Sequence, residues 1–237
     1  MSKIVIIIPC YNEEVRLNID YIKQIVTDTD LQIYFANDGS TDNTFSLIES
    51  ICKQLPNCFY INFSQNEGKA MTIYKSIKLL TARNEFDYIG YFDADFSTPP
   101  NQLINIVEYL KNNDVGFVFA SRIKKLNSKI IRKTYRHFIG RSILTIINFK
   151  HKLGIYDTQC GCKIFSKEII DIGFKDTFKT TWLFDVEVFI RLKKSKLLAK
   201  GIEYPIEEWR DIEGSKLKLN HFAKIFKEII TLYTKYN

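Results

Sequence analysis

Tyr88-Ile89-Gly90-Tyr91-Phe92-Asp93-Ala94-Asp95-Phe96-Ser97-Thr98-Pro99-Pro100 runs from an apolar segment straight into two carboxylates. Its first five residues have the pattern of a buried strand, a short apolar run bounded by turn residues. Asp93 and Asp95, two apart at the strand exit, are placed to face one divalent cation and whatever that cation carries. Carboxylate oxygen is the hard ligand that Mg²⁺ and Mn²⁺ prefer, and magnesium usually shares its shell with substrate phosphates. An Asp-x-Asp pair also occurs as two solvated turn residues, so its meaning depends on what the neighbouring segments supply.

Upstream, residues 3–8 form a near-continuous apolar strand ended by Pro9. Residues 14–27 carry Val15, Ile19, Ile22 and Val26 at helical spacing. Strands at 31–36, 58–63, 87–92 and 115–120 then alternate with helices at 42–54, 70–83 and 103–111. Apolar strands alternating with helices predict an α/β fold with a mainly parallel central sheet and helices on both faces. Ligands of such sheets sit beyond the carboxyl ends of the strands. Four polar loops occupy those ends: Pro9-Cys10-Tyr11-Asn12-Glu13-Glu14, Asn37-Asp38-Gly39-Ser40-Thr41-Asp42, Asn66-Glu67-Gly68-Lys69-Ala70, and the Asp93/Asp95 pair. Glu13, Asp38 and Lys69 supply what a nucleotide demands, namely acceptors for base N–H groups and ribose hydroxyls and a cation for phosphate. Taken singly, Asp42 reads as a helix cap and Gly39 as a turn.

Downstream the pattern is less regular. A basic loop at 124–133 precedes an amphipathic segment at 135–149 bearing Phe138, Ile139, Ile143, Ile146 and Ile147. Arg132, Lys133, Arg136, Arg141, Lys150 and Lys152 frame that segment, as they would an interfacial helix on anionic lipid. A core-facing helix with a solvated basic rim reads equally well. The final helix, 220–236, with Lys224, Lys227 and Lys235, poses the same choice, while 185–192 reads as helix and 199–204 as strand. Without internal repeats or a low-complexity linker, residues 1–237 are expected to form one domain. Its first part (1–122) would bind a nucleotide and its second part (123–237) an acceptor.

A net charge of +7 suits a polyanionic partner: nucleic acid, anionic lipid or a phosphorylated substrate. Scattered basic residues and acidic loops at the sheet edge disfavour a nucleic-acid module, so no nucleic-acid partner is expected. No apolar run approaches the roughly 20 residues needed to span a bilayer, and the N-terminus lacks a signal peptide's basic flank and cleavage site. The expectation is a cytoplasmic chain, peripheral at the inner face of the cytoplasmic membrane. Five cysteines at spacings that fit neither zinc nor a thioredoxin-type pair read as reduced thiols, and the three histidines lack metal-ligand spacing.

Further segments complete a pattern: Ala120-Ser121-Arg122, Asp157-Thr158-Gln159-Cys160-Gly161-Cys162-Lys163, Trp182-Leu183-Phe184-Asp185-Val186-Glu187, and Glu208-Trp209 with Gly214-Ser215-Lys216. With the four strand-end loops, these resemble the inverting nucleotide-sugar glycosyltransferases of the GT-A fold, glycosyltransferase family 2. Within that family the chain is most similar to the dolichyl- or polyprenyl-phosphate sugar transferases, the glucosyl branch in particular, from residue 3 to about residue 218. The resemblance implies a Rossmann-like GT-A domain and transfer of glucose from UDP-glucose to a polyprenyl or dolichyl phosphate with Mg²⁺ or Mn²⁺. It implies that Pro9, Tyr11, Glu13 and Asp38 hold base and ribose, with Lys69 and Ala94 near the nucleotide. Asp93 would contact ribose or metal, and Asp95 would coordinate the metal. Arg122, Gln159, Lys163, Trp182 and Glu187 fall on the acceptor side, and Asp185 stands where relatives with hydroxyl acceptors carry their catalytic base. Ser97 replaces a glutamine of some relatives, Asn37 the usual aspartate of its motif, and Ala70 the usual glycine.

A hydroxyl acceptor needs a general base. A lipid monophosphate is already ionised and needs positioning by cations, for which Arg122, Arg132, Arg136 and Lys163 are suited. Two readings of Asp185 therefore stand: a base, or a residue that with Glu187 orients Lys163 or Arg122. The alternative activity is the same fold acting on a sugar hydroxyl in capsule, lipopolysaccharide or cell-wall glycan synthesis. A nucleotidyltransferase is disfavoured because Pro9-Cys10-Tyr11-Asn12 replaces its glycine-rich phosphate loop.

Overall fold

The computed structural model describes residues 2–84, 86–211 and 220–236. Gly214-Ser215-Lys216 lie outside them, as do the side chains of Arg136, His137, His221 and Phe222. In chain order the elements are β1 (Ile4–Cys10), α1 (Ile19–Asp28), β2 (Gln32–Asp38), α2 (Thr44–Gln54), β3 (Cys58–Phe63), α3 (Lys69–Arg83), β4 (Tyr88–Phe92), α4 (Pro100–Asn112) and β5 (Phe117–Ser121). They continue with β6 (Lys129–Ile131), α5 (Thr134–His151), β7 (Cys162–Ser166), α6 (Lys167–Gly173), α7 (Phe184–Lys194), β8 (Gly201–Pro205), β9 (Glu208–Arg210) and α8 (Asn220–Lys235).

The α/β expectation holds. A seven-stranded sheet runs in the order β3-β2-β1-β4-β7-β5-β8, parallel except where β7 pairs antiparallel with both β4 and β5. Alternation along β1 shows why both faces are covered. Ile4, Ile6 and Ile8 pack with Ile22 and Ile25 of α1, Ile48 and Ile51 of α2, and Leu103 and Ile106 of α4. Val5 and Ile7 pack on the other face with Ile73 and Ile77 of α3 and with residues of α6, α7 and α8. Each such side chain contributes about 1.5–3 kcal/mol by leaving water, so β1 is the most heavily committed strand of the sheet.

Several sequence-based boundaries shift for local reasons. β1 does not stop at Pro9 but runs to Cys10, with Pro9 in register beside Ala36; a missing N–H is tolerated this close to the strand end. The first helix starts at Ile19 rather than residue 14, because the Asn18 side chain accepts the backbone N–H groups of Asp20 (2.9 Å) and Tyr21 (3.2 Å). Residues 13–17 make a separate turn, leaving Val15 exposed. The basic loop contains β6, which pairs in parallel with β9 as a two-stranded ribbon. Strand β7 is not among the expected strands: Lys163 is its second residue, and a lysine in a five-residue run masks an apolar strand. Among the described residues no helix is long and apolar enough to cross a membrane.

Candidate active site

The carboxyl ends of β1, β2 and β4 and the start of α3 surround a cavity of about 210 Å³, lined by Pro9, Tyr11, Glu13, Asp38, Lys69, Asp93, Ala94 and Asp95 among others. Every residue that the resemblance assigned to the nucleotide is therefore brought together. Asp38 accepts the N–H groups of Glu67 (2.9 Å) and Gly68 (2.8 Å), so it also fixes the loop that delivers Lys69. Gly39 sits at φ +64°, and a β-carbon there would stand 2.6 Å from the Gln65 carbonyl carbon and 2.7 Å from the Asn66 nitrogen, a place that only glycine fits. Asp42 is not the cap of the second helix: it takes the N–H of Thr44 at 3.0 Å in the turn before α2, while Asn43 stands at the N-cap without a side-chain bond.

Burial and the nearby charges of Asp95 and Asp93 push the Glu13 carboxyl up to about 7, against the pull of Arg16 2.7 Å away. Asp95 is also raised, by burial and then by Asp93. Lys69 holds Asp93 at 2.5 Å. Ser97 donates its N–H to Asp95 at 3.0 Å. Phe96 between them adopts φ +51°, a left-handed conformation costly for a bulky side chain, braced by the rings of Tyr21 and Phe92.

Crowded carboxylates of this kind fit a divalent cation. Among the described residues no group of three His, Cys, Asp or Glu side chains could enclose a metal. A two-carboxylate donor set suits an ion that completes its shell with diphosphate oxygens and water. Asp95 and Asp93 would hold it, and its charge would remove the repulsion that raises Asp95.

Lys69, Asp93 and Asp95 also line a second, larger cavity of about 370 Å³. Its polar end carries Arg122, Arg132, Arg141, Asp157, Gln159 and Asp185, and its apolar wall is Ile139, Ile143, Leu144 and Ile147 of α5 with Ile225 of α8. Trp182 stands at its rim, about one-third exposed (37%). Arg122 does not present a free charge: it grips Asp157 through Nε (2.6 Å) and Nη2 (2.8 Å) and lies over the Trp209 ring. Arg141 donates to the Tyr156 carbonyl at 2.7 Å and lies over that residue's ring. The amide Nε2 of Gln159 is buried without a partner among the described residues, a donor that a ligand oxygen would satisfy.

Two sequence-based assignments are not brought to the cavity. Lys163 is fully buried beneath it, pairing with Asp185 Oδ1 (2.8 Å) and donating to the Cys160 carbonyl (2.6 Å). Glu187 is buried on the far side of α7, where Arg191 (2.5 Å) and the N–H groups of Lys179 (2.9 Å) and Thr180 (3.1 Å) occupy its carboxylate. Residues two apart on a helix point about 200° away from each other, so Asp185 and Glu187 cannot share a wall. Asp185 does line the cavity, and Tyr91 donates its hydroxyl to the same Oδ1 that holds Lys163. Orientation of Lys163 by Asp185 is thus as anticipated; orientation by Glu187 is not. All five cysteines are free.

The chain matches Glycosyl transferase family 2 over residues 5–173. It belongs to that family. The family 2 match takes in β1 to α6 and stops before α7 and α8. The chain is 30% identical to a dolichyl-phosphate beta-glucosyltransferase of Trichomonas vaginalis, over 97% of this chain and 72% of that one. It is likewise 30% identical to a dolichyl-phosphate beta-glucosyltransferase of Dictyostelium discoideum, over 98% and 74%. In three dimensions it overlays glucosyl-3-phosphoglycerate synthase from Mycobacterium tuberculosis, crystallised with Mn²⁺, UDP-glucose and phosphoglyceric acid. That overlay has a TM-score of 0.71 at 14% identity, covering 99% of this chain and 79% of the other, and shows a shared fold. The chain is a family 2 glycosyltransferase with the GT-A architecture.

The Arg122–Asp157 pair carries a pH prediction. Burial raises the Asp157 carboxyl, but Arg122, helped by Arg132, overrides it and holds the group well below the usual carboxylate range. A depressed folded-state pKa contributes stability above the unfolded value and loses it as pH falls through the folded one. Asp157→Asn, which strands Arg122, is expected to cost about 3–5 kcal/mol at pH 7. The deficit should shrink below about pH 4, where the wild-type unfolded carboxylate begins to bind its proton. Denaturant midpoints of both proteins at pH 7 and pH 3 check this; an equal deficit at the two pH values contradicts it.

Proposed function

We propose that this family 2 enzyme transfers glucose from UDP-glucose to a dolichyl or other polyprenyl phosphate, inverting the anomeric carbon with the help of Mg²⁺ or Mn²⁺. The observation that carries this reading is the meeting of two cavities at Lys69, Asp93 and Asp95. One has the groups for a nucleoside diphosphate, and the other pairs a cationic head with an apolar wall suited to a prenyl phosphate. The names of the Trichomonas and Dictyostelium relatives and the ligands of the mycobacterial structure support the same acceptor and donor.

In the proposed reaction an acceptor phosphate oxygen attacks the anomeric carbon from the face opposite the diphosphate. The carbon–oxygen bond to UDP breaks, and its electron pair leaves with the β-phosphate. Asp95 and Asp93 would hold a divalent ion, which would supply charge stabilisation for that leaving diphosphate. Lys69, beside Asp93, adds a positive charge at the same end. The guanidinium groups of Arg122 and Arg141, tied back by Asp157 and Tyr156, are already oriented for the acceptor phosphate, so little ordering is needed when it arrives.

The outer faces of α5 and α8 support contact with a membrane. Phe138, Ile146 and Phe149 of α5 and Phe226 and Ile230 of α8 are exposed, with Lys224 and Lys227 beside them. The same two helices supply the apolar cavity wall, so docking them on an anionic leaflet would lead the prenyl chain directly to the phosphate site. On that basis we propose that the enzyme is peripheral to a membrane.

A lipid phosphate needs no base, and this sets the expected result for Asp185→Asn. UDP release with polyprenyl phosphate, UDP-glucose and Mn²⁺ should fall by less than about tenfold, because only the grip on Lys163 is weakened. A fall on the order of 10²–10⁴ would mark Asp185 as a general base and favour a sugar-hydroxyl acceptor. Absence of metal-dependent UDP release with any prenyl phosphate would overturn the reading altogether.

A further inference from the structure

Residues 179–183, the last part of the connection from α6 to α7, bring Thr181, Trp182 and Leu183 to the larger cavity, just before the helix that presents Asp185. A loop in that position exposes consecutive N–H groups, and α7 supplies no cap of its own, since Leu183 stands at its N-cap without a side-chain acceptor. The acceptor for the N–H groups of the loop itself comes from far along the chain. Glu228, buried on α8, accepts Thr181 N–H (3.0 Å), Thr181 Oγ1–H (2.8 Å), Trp182 N–H (3.0 Å) and Leu183 N–H (2.9 Å). Glu187, by contrast, is matched by Arg191, whereas no cation pairs with Glu228 among the described residues. Its charge is met by the N–H dipoles of the loop and the positive end of α7.

We propose that Glu228 is a positioning residue: from α8 it anchors the loop that enters α7 and thereby holds Trp182 and Asp185 in the cavity wall. The neighbours of Glu228 on α8, Phe226, Lys227 and Ile230, lie on its exposed side, so one helix joins the outer surface to the inner wall. The consequence for acceptor binding rests on the acceptor reading given above; the consequence for Trp182 does not.

Glu228→Gln tests it. The amide keeps the size of the side chain but replaces one accepting oxygen with a donor facing other donors. The chain has two tryptophans, and Trp182 (37% exposed) is far more open than Trp209 (8%), so acrylamide quenching reports chiefly on Trp182. Quenching of the folded variant should rise, the KM for polyprenyl phosphate should increase by about tenfold or more, and the KM for UDP-glucose should stay at its wild-type value. Thr181→Val, which deletes one donor and leaves the carboxylate, should move quenching and acceptor KM in the same direction by less, and serves if Glu228→Gln does not fold. Increased quenching with an unchanged acceptor KM upholds the loop anchor and sinks the acceptor reading of the cavity. Unchanged quenching in either folded variant overturns the proposal.

Discussion

Asp95→Ala is expected to lower turnover by on the order of 10²–10³-fold, the usual size of losing a group that stabilises charge on a leaving oxyanion. The change should touch chemistry far more than folding. The Asp95 side chain takes a single backbone N–H, from Ser97, and its carboxyl is raised by burial beside Asp93. Removing it relieves a repulsion, and the rings of Tyr21 and Phe92 still brace Phe96. The metal dependence of nucleotide binding provides the cleaner readout. In the wild-type protein, Mn²⁺ with UDP at about a hundred times its dissociation constant should add about 2.7 kcal/mol. For a chain of this size that corresponds to about 5–10 °C in melting temperature. In Asp95→Ala the part of this increment that requires Mn²⁺ should vanish, while the unliganded melting temperature stays close to wild type. Equal Mn²⁺-dependent shifts in the two proteins would remove Asp95 from the metal site.

Gly161→Ala should be nearly as damaging, through a residue without functional groups. Gly161 passes so close to the strand exit that a β-carbon would stand 1.8 Å from Asp93 Oδ2 and 2.1 Å from its Cγ. Its carbonyl accepts the Asp93 N–H at 2.9 Å, so the two backbones cannot part without opening the end of the β4–β7 ladder. The short aspartate side chain cannot absorb the overlap by bending at its tip. Either the carboxylate swings away from Asp95 and Lys69, or the ladder yields; overpacking of this kind costs about 1–3 kcal/mol. Turnover is expected to fall by about a hundredfold, since displacing a reacting group by an ångström has that effect. Mn²⁺ affinity should weaken in parallel. Wild-type kinetics in a folded Gly161→Ala protein would mean that the Asp93 carboxylate has no required position.

Much of this site is written locally. Apolar runs ending in polar loops place Glu13, Asp38, Lys69 and the Asp93/Asp95 pair at one sheet edge, because parallel strands must all present the same end. Legibility stops where partners are distant in sequence or where helical phase intervenes. Asp185 and Glu187 look alike as letters, yet the turn of α7 sends one to the cavity and the other to Arg191. Lys163 reads as a phosphate ligand until β7 carries it beneath Asp185 and the Tyr91 ring. Glu228 lies 45 residues from the Leu183 N–H it accepts, with no local pattern to mark it. Gly161 had a signal, a small residue between two cysteines in a motif bordering the site, but its reason is the carboxylate opposite, visible only in three dimensions.

The antiparallel strand β7 also constrains how the molecule is born. On a ribosome, β4 and β5 emerge with no hydrogen-bond partner for each other, because the strand that separates them is β7. Until residue 166 has been released, the nascent sheet consists of two unjoined pieces, and the Asp93 loop lacks the Gly161 carbonyl that fixes it. The edge of β4 stays open during that interval, when contact with another chain is most hazardous. A fragment ending at residue 122 should therefore be an aggregation-prone half-sheet: it carries every residue that lines the smaller cavity, but its Asp93 loop is unfixed until β7 is made.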